Sequence, residues 1–417
     1  MHVSGASFMI PRAGPHPHLN SGRNPPATVR AHVGSRRPAR VIAGALAALG
    51  ATVVPTACGI ISEGGPPNGV FRDSGVEFRV EVVAEGLEHP WGLALLPDAE
   101  GILVTERPGR LRWLRDGRLE DVEGVPEVRT GGQGGLLDVA LHPEFTDTRW
   151  VYLSYSKPGS EGATTAVARG RLAEGRLTEV EHVFVAEAWE SGGRHFGSRI
   201  LFDGEGYLWV TVGDRGAGDR SQDLGDHVGT TIRLYDDGTV PADNPFVQRP
   251  EALDEIFTYG HRNAQGMVVH PGSGEVWLNE HGPRGGDEIN RIVAGADYGW
   301  PHYSFGRHYS FRGIPDPEEG VGVELPLLHW TPSIAPSGMA VYTGDVFPEW
   351  RGDVFVGALA GRHLRRVRFH GTDPVEQEEL LGDLGHRIRD VRQGPDGLLY
   401  LLVDASDAPI LRLEPNG

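Results

Sequence analysis

Cysteine is nearly absent: Cys58 stands alone among 417 residues. One thiol cannot close an intramolecular disulfide, nor build the paired-Cys frame of a structural zinc site. Positive charge is also short, with 39 Lys and Arg against 57 Asp and Glu and a formal net charge of −18. That balance argues against nucleic acid as a partner, because phosphate binding needs a basic surface. No Gly-rich phosphate loop follows a strand and opens a helix, so nucleotide binding has no foothold. A G-x-S-x-G elbow, an HExxH pair and an EF-hand loop are missing as well.

Long hydrophobic runs are scarce. The stretch Val41–Val54 is too short for an ordinary membrane-spanning helix. It follows Arg36, Arg37 and Arg40 and leads to Thr56, Ala57 and Cys58, the layout of a secretory signal. Two endings stay open. Cys58 after Pro-Thr-Ala resembles a bacterial lipoprotein cleavage box, and the other reading is a plain signal cut nearby. The expectation is a secreted or extracytoplasmic protein, lipid-anchored through Cys58 to the outer face of the membrane and otherwise free of it. Gly59–Ser74 is rich in Gly, Pro and Ser and reads as a flexible tether. The chain thus divides into a leader (1–57), a linker (58–75) and one folded domain (76–417).

Glycine, by contrast, is plentiful at 60 residues, about twice the usual share. It serves a recurrent unit: an apolar stretch, a Pro/Asp/Gly turn, then a second apolar stretch ending in a polar residue. The copies are Pro90–Glu106, Gly134–Ser154, Phe196–Asp214, Ala264–Glu280, Pro336–Gly357 and Ile388–Asp404. Alternating apolar residues flanking such turns read as two strands each. Six copies predict an all-β fold, a six-bladed β-propeller of four-stranded antiparallel blades. At roughly 57 residues per blade, against about 40–50 in common propeller repeats, long loops are expected on one face. Asp98, Asp203 and Asp396 read as turn formers, and Trp91, Trp209 and Trp277 as core.

In a propeller the innermost strands run along the central channel, so the residues just before them ring one end of the axis. Those positions hold His89 and Trp91, Gln133, Arg194 and His195, then Arg262, Asn263 and Gln265, Ser333 and Ser337, and lastly Arg387 and Arg389. Converging arginines favour a polyanion held through its carboxylates. His195 is the evident general base, with an unperturbed pKa near 6.5. Arg194 and Arg199 are expected to keep it neutral. Asp214 opens a polar insertion, and its place at the channel stays open. In the segment Asn279–Glu288, Gly282-Pro283 forces an exposed turn whose carbonyls, with nearby carboxylates, are the oxygen ligands that Ca²⁺ takes; an ordinary Gly-rich loop is the other reading.

The stretches GGQGGLLDVALHPEF, GGRHFGSRILFD, YLWVTVGDRG, YGHRNAQGM, NEHGPRGGDEIN, YGWP, PSIAPSGM and RIRDV together resemble the soluble PQQ-dependent sugar dehydrogenases. The likeness is closer to their aldose sugar dehydrogenase branch than to soluble glucose dehydrogenase, and it runs from about Glu88 to Asp404. It implies that His195 takes the proton from a sugar's anomeric hydroxyl. It also implies that Gln133, Arg262, Asn263, Arg387 and Arg389, with His281 at a neighbouring position, hold PQQ. The Gly282 and Pro283 carbonyls would bind Ca²⁺, and hydride would pass from C1 to the quinone, giving an aldonolactone. An electron acceptor of unknown identity is then required as a partner. Three positions depart from the glucose dehydrogenase branch: Arg194 replaces an acid before the histidine, His281 replaces a Gln, and Arg362 stands where a Lys is expected. Two other readings are a Ca²⁺-dependent propeller lactonase and a non-catalytic, surface-bound ligand-binding propeller.

Overall fold

The computed structural model describes residues 70–73, 75–318 and 320–416. The leader, Cys58 and residues 58–69 of the expected tether lie outside the described residues. Each sequence repeat forms two antiparallel strands, because its apolar residues alternate up to a turn that reverses the chain. Two further strands complete a blade. The inner strands are Pro90–Leu95, Leu136–Leu141, Ile200–Phe202, Ala264–Val269, Pro336–Val341 and Ile388–Gln393, in blades 1 to 6. Each neighbours the next, and the sixth returns to the first, so the ring closes. The fold is the six-bladed propeller that the repeats predict.

The sixth blade joins the two ends of the chain. Val76–Leu87 pairs antiparallel with Ala408–Pro415, from Phe78 opposite Pro415 to Leu87 opposite Ala408. The sheet extends one strand further out, to Val70–Asp73 paired with the start of Val76–Leu87. A described strand therefore lies inside the stretch that composition assigns to the tether. Phe71 packs it onto the sheet, stacked on Phe78 at 5.7 Å.

Polar residues on the second strands of blades 1 to 4, and Ser337 on the inner strand of blade 5, have a shared structural task. Thr105 Oγ1 donates to the carbonyl of Leu137 in the next blade. Ser154 Oγ donates to Ser198 O (2.6 Å), Thr211 Oγ1 to Ala264 O (3.3 Å) and Asn279 Nδ2 to Ser337 O (2.8 Å). Ser337 Oγ carries the series on to Ile388 O at 2.7 Å. These bonds cross from blade to blade where no β-ladder can. Each contributes about 1 kcal/mol net, and a buried donor left unpaired costs more.

Four charges in or beside the inner strands meet at the hub, three of them buried and Arg392 partly exposed. Arg199 Nη1 lies 2.9 Å from Asp138 and 3.2 Å from Asp390. Arg392 reaches the same two carboxylates at 3.1 and 2.9 Å. Both acids are fully buried, and the Arg199 guanidinium covers the Trp91 ring at 4.3 Å. Two cations balance two anions, which is the condition for keeping charge in such a place. Space is tight: a Cβ on Gly338 would sit 1.9 Å from Asp390 Oδ1. Trp209 and Trp277 are core residues, and Asp203 and Asp396 cap their own turns. No helix among the described residues is long and apolar enough to cross a membrane.

Candidate active site

A cavity of about 380 Å³ opens beside the hub at the mouth of the channel. Trp91, Leu137 and Phe196 give it an apolar floor, and Gln133, Asn263, His281, Arg387 and Arg389 line its walls. All five of these wall residues were expected to hold a cofactor. Trp91 is buried as expected, yet it is floor as well as core.

His195 is not itself in the lining but immediately precedes the lining residues Phe196 and Gly197, in the loop leading to Ile200–Phe202. Its φ of +52° is in the left-handed region, which costs energy for a non-glycine residue. Gln133 Oε1 accepts its main-chain N–H at 2.6 Å. The loop also needs Gly213, where a Cβ would come within 2.2 Å of His195 O. The ring is oriented by Asp214, whose Oδ1 lies 2.6 Å from Nδ1. Since a carboxylate only accepts, Nδ1 carries the proton and the Nε2 lone pair is free to take one. The acid missing before the histidine is therefore supplied by Asp214, at the end of that blade's second repeat strand.

Burial is the main cause that lowers the His195 pKa below its ordinary value. Asp214 opposes the shift, and the charges of Arg262 and Arg194 reinforce it. The lowered pKa favours the neutral imidazole at pH 7, but Arg199 takes no part in this. It is turned into the hub, held between Asp138 and Asp390.

The opposite wall is strongly cationic. Asp404, 9% exposed as a side chain, accepts from Arg387 (3.2 Å) and lies 3.6 Å from Arg389 and 3.8 Å from Arg107. His89 Nδ1 is 2.9 Å away. Burial works to raise the Asp404 pKa, but Arg389, His89, Arg107 and Arg387 outweigh it and hold the group far below the carboxylate range. Burial pushes Arg389 down to about 10, with Asp404 opposing. Three guanidiniums face one carboxylate, and the buried Arg389 Nε has no hydrogen-bond partner among the described residues. An anionic ligand would supply one. Neither Arg107 nor Asp404 was anticipated.

Other expected residues are arranged differently. Arg262 lies beside the cavity, its Nη1 donating to Gly282 O at 2.8 Å and His281 O at 3.1 Å. His281 donates through Nε2 to Pro336 O at 2.6 Å, and burial, with Arg262 adding, pushes its pKa down to about 3. It is a neutral wall residue. Pro283 is buried against Gly306. Asp287, the nearest carboxylate to the Gly282 turn, is spent on Gly282 N, Ser333 Oγ, Ile334 N and Ala335 N. Ser333 is thus engaged in joining blades 4 and 5, and Ser337 is buried in the latch series. Arg362 reaches Gly385 O near the surface, away from the cavity lining. Among the described residues no three His, Cys, Asp or Glu side chains converge as a metal site.

The chain is similar to known proteins over most of its length. The family profile described as Glucose / Sorbosone dehydrogenase matches residues 87–412. Aldose sugar dehydrogenase YliI of Escherichia coli K12 is 45% identical over 81% of this chain and 93% of its own length. The crystal structure of the soluble aldose sugar dehydrogenase from Escherichia coli in the apo-form superposes with a TM-score of 0.79 at 44% identity, covering 81% of this chain and all of the other. The PQQ-bound form of aldose sugar dehydrogenase from Streptomyces coelicolor gives 0.68 at 28% identity, over 84% and 99%. The chain belongs to the glucose/sorbosone dehydrogenase family.

Proposed function

We propose that this protein oxidises aldose sugars at C1 to aldonolactones with PQQ as the oxidant and Ca²⁺ as its companion. The observation that carries the reading is an Asp-oriented histidine, its pKa lowered, beside a cavity lined by three arginines and one carboxylate. The site fits PQQ: its carboxylates match Arg107, Arg387 and Arg389, and Arg389 Nε lacks a partner. It fits Ca²⁺ through main-chain oxygens alone. The Gly282 carbonyl keeps one lone pair beyond its bond to Arg262, and Pro283 adds a second carbonyl. A calcium ion takes about 6–8 oxygens, so cofactor and water supply the others.

When bound, the quinone supplies the acceptor for the C1 hydride and Ca²⁺ the Lewis acid that polarises it. His195 Nε2 takes the proton from the anomeric hydroxyl oxygen. Asp214 keeps the tautomer that leaves Nε2 bare and stabilises the imidazolium that follows. Gln133 fixes the loop through the His195 N–H, and its side-chain amide faces the cavity. The buried lining residues Asn263, Gln265 and Arg389 offer fixed dipoles and charge, which act most strongly where water is scarce.

The hydrolytic alternative needs free carboxylates around an axial metal, whereas Asp138 and Asp390 are each bound to Arg199 and Arg392. A dye-reduction assay on an aldose panel, with and without PQQ and Ca²⁺, tests the proposal. Sugar-dependent reduction that requires PQQ supports it, and lactone hydrolysis or inert binding would overturn it. The basic and apolar leader supports a location outside the cytoplasm, with electrons passed on to an acceptor there.

A further inference from the structure

Trp300 belongs to no repeat and lines no wall of the main cavity. It lies in the long connection between Asp287–Arg291 and Leu328–Trp330 of blade 4. Its indole Nε1 nevertheless donates to Asp214 Oδ2 at 2.9 Å. The other oxygen, Oδ1, lies 2.6 Å from His195 Nδ1 and accepts from Gly216 N at 2.7 Å. A carboxylate only 2% exposed is thus gripped on both oxygens. Trp300 is itself pinned, its N–H donating to Gly260 O at 2.9 Å and its carbonyl accepting from Gln222 Nε2 at 3.0 Å. Its ring faces the Arg262 guanidinium at 5.4 Å.

We propose that Trp300 is a positioning residue for the proton-accepting step: it fixes the Asp214 carboxylate and, through it, sets the orientation and basicity of His195. The inference rests on reading His195 as the base. An N–H bonded to Oδ2 draws off negative charge that would otherwise act on His195 Nδ1–H. Removing that N–H concentrates charge on Oδ1 and stabilises the imidazolium. The other charged or titratable groups facing His195 are Arg194 on its own loop and Arg262 and His281 from blade 4, and all three stay in place when only the indole N–H is lost.

Trp300→Phe keeps a ring and deletes the donor. The decisive measurement is NMR on the cofactor-free full-length protein, following selectively labelled His195 ring carbons and the Trp300 indole nitrogen against pH. In the wild type the indole signal should move with the same midpoint as His195. In Trp300→Phe the His195 midpoint should rise by about half a unit. Turnover should drop about tenfold, with KM and directly titrated PQQ affinity within about twofold. An indole signal indifferent to His195, or a midpoint unmoved in the variant, overturns the proposal even if activity falls. Neither NMR readout involves sugar or quinone. A shifted midpoint in a protein that oxidises no sugar would sink the functional reading and leave the coupling standing.

Discussion

Replacing Asp404 by Asn tests whether the cationic wall is held together by one carboxylate. The change is nearly isosteric but removes the only negative charge among Arg107, Arg387 and Arg389. Arg387 and Arg107 are 41% and 22% exposed as side chains, so water screens much of what they lose. Arg389 is 9% exposed and keeps an uncompensated buried charge, which puts the cost at the low end of a broken buried pair, about 3 kcal/mol. For a propeller of roughly 340 residues the unfolding entropy is about 0.7 kcal/mol/K, so the apo variant should melt about 4 °C lower. Because the folded pKa of Asp404 is depressed, the stability it contributes is present above the unfolded value near 3.9. It fades as pH falls below that value, so the gap between the two proteins should close in acid. Saturating PQQ should narrow the gap at pH 7, since its carboxylates replace the missing partner. Scanning calorimetry of both proteins, with and without PQQ, reads each arm. Equal melting temperatures without cofactor, or a gap that widens with it, would refute the reasoning.

The His195→Ala variant should lose about 10²–10⁴-fold in turnover, the span of a general base, while PQQ titration shows affinity within a few-fold of wild type; unchanged turnover removes His195 from its role. Because the base acts only when neutral and its pKa is lowered, first by burial, activity should stay flat above pH 6.5. The acid limb of kcat should fall below that value, and a steady-state pH profile with a basic inflection above 6.5 contradicts this. Gly338→Ala would press a methyl into Asp390 at 1.9 Å. It should displace Asp390 from Arg199 and cost about 3 kcal/mol or more, read as a lower urea midpoint; a wild-type midpoint would mean that the hub yields freely.

The propeller was legible because every blade restates it. Six times, alternating apolar residues meet a turn, and the inner-strand starts then identify Gln133, His195, Asn263, Arg387 and Arg389 as neighbours. What was missed, or left open as with Asp214, lies mostly at the other end of the same units. Glu106, Asp214, Glu280 and Asp404 each close a repeat, and each binds a cation or a histidine: Arg110, His195, His261, and His89 with Arg387. Their periodicity was visible, but their destination was not, since second-strand ends and inner-strand starts converge only after the sheet turns back. Trp300 offered no such signal, because it comes from an insertion outside the repeat. The sense of Arg199 was also hidden. Four residues beyond His195 in sequence, it faces the axis and spends its charge on Asp138 and Asp390.

Adjacent residues divide structure from chemistry along the inner strands. Arg389 reaches the cavity while Asp390 enters the hub, and Leu137 floors the cavity while Asp138 anchors Arg199. The pocket is therefore set on the same backbone that the buried ion pairs and the blade-to-blade latches hold in place. A mouth built this way needs little rearrangement when an anion arrives, and fixed dipoles that need not reorganise are worth most to a developing charge. The arginine that sequence position alone would assign to His195 thus acts one layer lower, in the frame beneath the cavity.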